Sequence, residues 1–161
     1  MTDDRLAELE ARLSRVEDER AIERIIASYG PLVDAGEAEA AAALWAADGA
    51  YDVEGWPMRS RADVAAMVAS DAHRGLIDRG CAHFLGPAVV TVHGDEATAV
   101  CESLVVKRRD DGYTVWRAAA NHFRLNRIDG RWQITHRTTR TLDGRAEARR
   151  LLSDGIAGRL S

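Results

Sequence analysis

Two residues of this 161-residue chain are suited to moving a proton, Asp34 and His83. Asp34 closes an N-terminal helical stretch, AIERIIASYGPLVDAGE, and His83 opens the first strong strand, AHFLGPAVVTV. A carboxylate that meets an imidazole inside an apolar pocket makes a general base, because it fixes the ring tautomer and stabilises the imidazolium that forms. Asp34 follows Leu32 and Val33. A carboxylate at a helix C-terminus also opposes the helix dipole. An acid so placed points to function more than to structure. His83 taken alone reads as a half-buried strand histidine.

Other residues could complete such a site. Tyr29 precedes Asp34 on the same helix; on an unbroken helix the two would be about 500° apart, and a kink at Pro31 would change that. Glu102 shares a strand face with Val100, Leu104 and Val106. It points either into an apolar space, where its pKa would rise, or outward onto a subunit interface. In RWQITHRTTRTL one face carries Trp132, Ile134, His136, Thr138 and Arg140, and the other carries Gln133, Thr135, Arg137, Thr139 and Thr141. The second face, Thr139 and Thr141 included, is expected to be solvated or to face a partner. Arg137 reaches a pocket only if a bulge changes the register. Ala118, Ala119 and Ala120 leave room for a ligand or a packed helix, and one of Asn121 and His122 must face inward. Tyr29, Trp45, Tyr51, Trp56, Phe84 and Trp116 suffice to line a hydrophobic cavity, or to form plain core.

The chain divides into a helical half and a strand half. Residues 4 to 29 read as helix with two apolar stripes, Leu6, Leu9, Leu13, Val16 and then Ile22, Ile25, Ile26, Tyr29. The first stripe is a heptad seam broken after two repeats by Arg20 and Glu23, which suits packing against the body or a partner subunit. Pro31 is expected to kink or restart the helix. A short Ala-rich helix, EAEAAAALWAADG, should stop at Gly49. Tyr51 to Met58 reads as a short strand pair around Gly55, followed by a helix capped by Ser60 with Asp63. Strands near 83–93, 97–108, 113–127 and 131–141 are separated by HGDE, RDDG and IDGR, turn signals of an antiparallel meander. The expected fold class is α+β, a curved antiparallel sheet covered on one face by helices. One domain spans 1–161, with a helical extension at 1–20 and a tail at 145–161.

Composition excludes several functions. The formal net charge is −4, with positive charge dispersed, which argues against a nucleic-acid surface. No segment approaches the roughly 20 apolar residues of a membrane span, and MTDDRLAELEARL is not a signal peptide. Cys81 and Cys101 read as free thiols in a reducing cytosol. The five histidines show no metal-ligand spacing, so no metal or cofactor is expected.

In the order of its segments, the chain resembles the nuclear transport factor 2-like superfamily in its SnoaL-like branch. IASYGPLVDAGEAEAAAALWAADGAYDVEG, AHFLGPAVVTVHGDEATAV and FRLNRIDGRWQITHR carry the likeness. The resemblance implies a cone-shaped α+β barrel around a deep apolar pocket. Its polar positions are most similar to the group of scytalone dehydratase, bile-acid 7α-dehydratase and hexachlorocyclohexane dehydrochlorinase. By that likeness Asp34 and His83 match a proton-abstracting dyad, Arg137 an assisting arginine, Tyr29 the position of a tyrosine in the bile-acid dehydratase and Trp45 a pocket wall. The chain departs from the group on the third strand, where Asn121 and Phe123 replace the usual aromatic and acid. The expectation is a cofactor-free lyase, dehydratase-like, acting on a small hydrophobic, steroid-like or polycyclic molecule. The catalytic set is Asp34, His83, Tyr29 and Arg137; the substrate-binding set is Trp45, Tyr51, Trp56, Phe84, Glu102, Trp116, Ala119 and Asn121. A binding protein without catalysis, or an isomerase or cyclase using the same pocket, are the alternatives. A cytoplasmic homodimer or homotrimer formed through the outer sheet face is expected.

Overall fold

The computed structural model describes residues 3–160. The chain runs α1 (Asp3–Asp34), α2 (Ala38–Ala42), β1 (Trp45–Val53), β2 (Trp56–Met58), α3 (Arg61–Val68), α4 (Asp71–Asp78), β3 (Cys81–Leu85), β4 (Val89–His93), β5 (Glu96–Arg109), β6 (Gly112–Ile128), β7 (Arg131–Thr141) and α5 (Ala146–Ile156). This is the expected α+β class.

Only the second half of α1 is held to the body. Ile22, Ile26, Tyr29 and Val33 form one stripe and are 5% exposed or less. Leu6, Leu9, Leu13 and Val16 are all at least 42% exposed. The helix does not restart at Pro31 but continues to Asp34. A proline inside a helix costs about 3 kcal/mol; burying Tyr29 and Val33 on one continuous stripe offsets that, at about 1.5–3 kcal/mol per large side chain. Gly36, with φ +75°, ends the helix. There the Glu37 amide donates to the Leu32 carbonyl at 3.0 Å and the Gly36 amide to Val33 at 3.2 Å, the paired bonds of a glycine-terminated helix.

The seven strands form one sheet in the order β2-β1-β7-β6-β5-β3, with β4 also paired to β5. It is open and mixed, not wholly antiparallel, because β1 runs parallel to β7. The first part of β1, up to Gly49, was read as the end of a helix, whereas its pairing with β2 around Gly55 was expected. Gly49 lies inside it, and an added Cβ there would stand 2.6 Å from the Ile134 carbonyl oxygen, so the glycine permits a close strand approach. The stretch 83–93 divides into β3 and β4, which lie end to end along β5; Pro87, between them, has no ladder donor.

Two bulges decide which residues face inward. Between β6 and β7 the register steps from Leu125↔Ile134 to Arg124↔His136, leaving Thr135 as the extra residue. Trp132, Ile134, Arg137 and Thr139 are therefore all buried, although 132 and 137 differ in parity. Thr139 is 1% exposed, not the surface residue expected. Between β5 and β6 the step from Val105↔Arg117 to Val106↔Val115 isolates Trp116. The main core lies between α1–α3 and the inner sheet face. A smaller core of Ala120, Ala148 and Leu151 lies under α5. As expected, Ser60 Oγ caps α3, accepting from the Asp63 amide at 3.2 Å. Helix α4 was not anticipated; Ser70 caps it in the same way. Among the described residues, no helix is long and apolar enough to cross a membrane.

Candidate active site

The site begins with a glycine. Where α1 crosses β3, an added Cβ on Gly30 would fall 2.0 Å from the His83 carbonyl oxygen, so only glycine lets the helix lie this close. Asp34 is one turn further on, on the same helix face. Its Oδ1 accepts from His83 Nδ1 at 2.6 Å and its Oδ2 accepts from the His83 amide at 2.7 Å. The Cys81 thiol also donates to Oδ1, at 3.7 Å. Burial pushes the Asp34 carboxyl up, but the bonds from the His83 ring and amide, the imidazole charge and the thiol together hold it below the usual carboxylate range. With Nδ1 committed to an ionised Asp34, Nε2 is the basic nitrogen of the neutral ring.

Asp34, Cys81 and His83 are also a group whose donor atoms lie within 4.8 Å of one another. The geometry favours proton chemistry over metal binding. Two donors about 2.1 Å from one ion stand about 3 Å apart, further than the 2.6 Å of the carboxylate–imidazole contact. Burial and the Asp34 charge push the Cys81 thiol up to about 11, so it remains protonated.

His83 lines a cavity of about 410 Å³, of the size that takes a small molecule. Tyr29 and Tyr51 wall its buried part, and Trp56 and Trp116 its exposed part. Arg137 lines it too and is only 2% exposed. Its guanidinium carbon lies 4.3 Å from the Tyr29 ring centre, 4.4 Å from Tyr51 and 5.1 Å from Phe123, contacts that favour a cation. Asn121 Oδ1 accepts from Arg137 Nε at 3.2 Å and Nη2 at 2.8 Å. The same oxygen accepts from Thr139 at 2.8 Å, and Asn121 Nδ2 donates to Ser103 Oγ at 2.9 Å. Arg137 Nη1 has no partner among the described residues. Burial and the neighbouring Tyr51 raise the pKa of Tyr29, which stays a neutral hydroxyl donor.

Of the residues singled out by sequence, His83, Tyr29, Arg137, Tyr51, Trp56 and Trp116 line this cavity. Asp34 stands behind His83. Trp45, Ala119 and Asn121 are wholly buried and support the wall: Trp45 meets Tyr29 edge-on at 5.6 Å, and Asn121 holds Arg137. Phe84 and Glu102 are corrections. Both are exposed on the outer sheet face, Phe84 by 59%. Phe84 follows an inward His83, and Glu102 lies between the buried Cys101 and Ser103, so strand alternation turns both away. His73, Arg79 and Arg117 also line the cavity and were missed, and Lys107 was read only as dispersed charge. His73 Nε2 donates to the Val33 carbonyl at 3.0 Å, and its ring lies 5.5 Å from that of His83. It sits on the unanticipated α4. Lys107 and Arg117 could have been found from the strand register, which sequence did not fix near Trp116; Arg79 ends the same unanticipated helix.

The family of SnoaL-like domains matches residues 14–138. The chain belongs to this family. An NTF2-like protein with a cystatin-like fold from Novosphingobium aromaticivorans is 45% identical over 94% of this chain and 99% of its own, with a TM-score of 0.90. A function-unknown protein of Mycobacterium tuberculosis, 23% identical, covers 86% of this chain and 91% of its own at a TM-score of 0.69. A candidate scytalone dehydratase from N. aromaticivorans, 22% identical, covers 88% of both chains at 0.64. These last two share the fold. No curated protein matches significantly.

Proposed function

We propose that this SnoaL-like protein is a lyase that eliminates water, or another small leaving group, from a small hydrophobic molecule. The observation that carries the reading is the 2.6 Å Asp34–His83 contact on the wall of a cavity of about 410 Å³. His83 Nε2 takes a proton from carbon beside an activating carbonyl, and Asp34 stabilises the imidazolium. The freed C–H electron pair becomes an enolate, whose oxyanion Arg137 and the Tyr29 hydroxyl stabilise. The enolate then re-forms the carbonyl, a C=C bond forms, and the adjacent C–O bond breaks. The departing hydroxyl leaves as water with the proton that His83 carries, which restores the base.

The test is a screen of cyclic β-hydroxy ketones in deuterated water, read by mass spectrometry. Loss of water catalysed by the wild type is the expected result. General-base catalysis contributes roughly 10²–10⁴-fold, so His83→Ala and Asp34→Asn should each lower kcat by about that factor. Wild-type kcat in either variant would overturn the dyad. A product of unchanged composition carrying solvent deuterium would make the same base an isomerase. Ligand binding without deuterium exchange would leave a binding protein.

A further inference from the structure

We propose that the outer end of the cavity is an anion subsite, and that the substrate carries a carboxylate or phosphate held among Arg79, Lys107 and Arg117 while its apolar body reaches inward to His83. The inference rests on the reading of this cavity as a substrate site. The chain carries a formal net charge of −4, yet the cavity is lined by Arg79, Lys107, Arg117 and Arg137 and by no Asp or Glu. Among the described residues none of the three outer cations makes an ion pair, whereas Arg74, Arg127, Arg140, Arg145 and Arg159 all do. Arg117 Nε is buried without a hydrogen-bond partner.

The fold brings these cations to the catalytic face. Val105 pairs with His83 on one side and Arg117 on the other, so the three residues share a face and span two strand spacings, about 10 Å. The bulge at Trp116 turns its ring beneath the cations, with Lys107 Nζ 3.3 Å and Arg117 Cζ 5.7 Å from the ring centre. Burial and the nearby Arg109, Arg79 and Arg117 hold the Lys107 ammonium below its ordinary pKa. Like charges gathered in a cleft repel one another and raise the local concentration of a counter-charge.

Calorimetry on the full chain with 2-naphthylacetate, 2-naphthyl phosphate and the neutral 2-naphthylacetamide tests this. An anion should bind at least tenfold more tightly than the amide, by a margin that shrinks in high salt; the tighter of the two anions identifies the group. The triple variant Arg79→Gln, Lys107→Gln, Arg117→Gln should lose the preference and keep its affinity for the amide. If that variant does not fold, Lys107→Gln alone should weaken anion binding at least threefold. Equal affinity for all three probes, no anion binding at millimolar concentration, or a preference that survives these substitutions would overturn the subsite. His83→Ala should keep the preference, so failure of the lyase reading and failure of this one are separate results.

Helix α1 carries a second, independent inference: two copies of the chain pair in parallel through its exposed stripe. Leu6, Leu9, Leu13 and Val16 repeat at three, four and three residues, and none is covered by the body. With Leu6 at a and Leu9 at d, Arg5 and Arg12 fall at g and Glu10 and Glu17 at e. A parallel pair sets each Arg against the Glu five residues on in its partner, and an antiparallel pair sets Glu10 against Glu10 and Arg12 against Arg12. Sedimentation of the wild type should give twice 17.6 kDa, and Leu9→Glu with Leu13→Glu should halve it. Leu6→Cys should cross-link on oxidation, since in the antiparallel pair Leu6 would face Val16 and lie about 15 Å from its copy. A wild-type monomer, an unchanged mass in the double variant, or no cross-link would overturn the pairing.

Discussion

At the scale of single residues, Asp34 is a hub: one carboxylate accepts from a ring nitrogen, a backbone amide and a thiol. Cys81 is therefore a reporter of its charge. Burial and Asp34 keep that thiol protonated up to about 11, so Asp34→Asn should speed its alkylation by iodoacetamide at pH 8, measured by mass spectrometry of the Cys81 peptide. The lowered Asp34 pKa also makes a stability prediction. A carboxyl more acidic in the folded state stabilises above its unfolded value, about 3.9, and loses that contribution as pH falls through the folded value. The difference in unfolding free energy between wild type and Asp34→Asn should be flat from pH 5 to 7 and shrink below pH 4. The dyad was legible in sequence because few residue types can do its chemistry. Arg137 was legible only conditionally, since its inward course depends on one unpaired residue. Lys107 and Arg117 were not, because a charged residue on a strand reads as solvated until its cross-strand neighbours are known.

At the scale of elements, the crossing of α1 over β3 sets the dyad. In an ordinary helix interior Gly→Ala stabilises by about 1 kcal/mol. At Gly30 the Cβ would collide with backbone, so Gly30→Ala should instead destabilise by about 1–3 kcal/mol, the usual cost of overpacking, seen as a lower urea midpoint at constant slope. Turnover should fall further than stability does, because the helix cannot retreat without lengthening the Asp34–His83 bond. The long strands β5, β6 and β7 were legible from their turns, within one residue at each end. The first half of β1 was not: an Ala-rich approach to Gly49 satisfies the local rules of a helix end, and only the parallel edge of β7 draws it into a strand.

At the scale of the whole molecule, α5 seals the outer face of the sheet. An added Cβ on Gly155 would lie 2.3 Å from Val100 Cβ, and His122 Nε2 donates to the Arg159 carbonyl at 2.9 Å. Deleting the chain after Asp143 should expose Val100, Ala120 and His122 and lower the urea midpoint. Burial, together with the Arg124 charge, lowers the pKa of both His122 and His136. Rings that fold neutral stabilise fully above the unfolded value of about 6.5 and lose that contribution as pH falls through it toward the folded values. The urea midpoint should therefore drop between pH 7 and pH 5, in a window separate from that of Asp34, and His122→Gln should remove part of the slope. The α+β plan and the helical cover were legible from order alone. The tail was legible as a helix, but what it covers depends on a face parity that β6 reveals only when paired.

The extra residue at Thr135 makes the site sensitive to strand pairing in a way substitution scanning would not reveal. Pairing the same residues without the bulge would send Arg137 and Thr139 to the outside and bring His136 and Thr138 in, while every side chain remained present; removing Thr135 would instead leave Arg137 opposite the buried Phe123 on a regular strand. Homologues with a single-residue gap at this point should therefore keep the arginine inside, whereas ungapped homologues that pair without the bulge should differ in chemistry, however similar their letters.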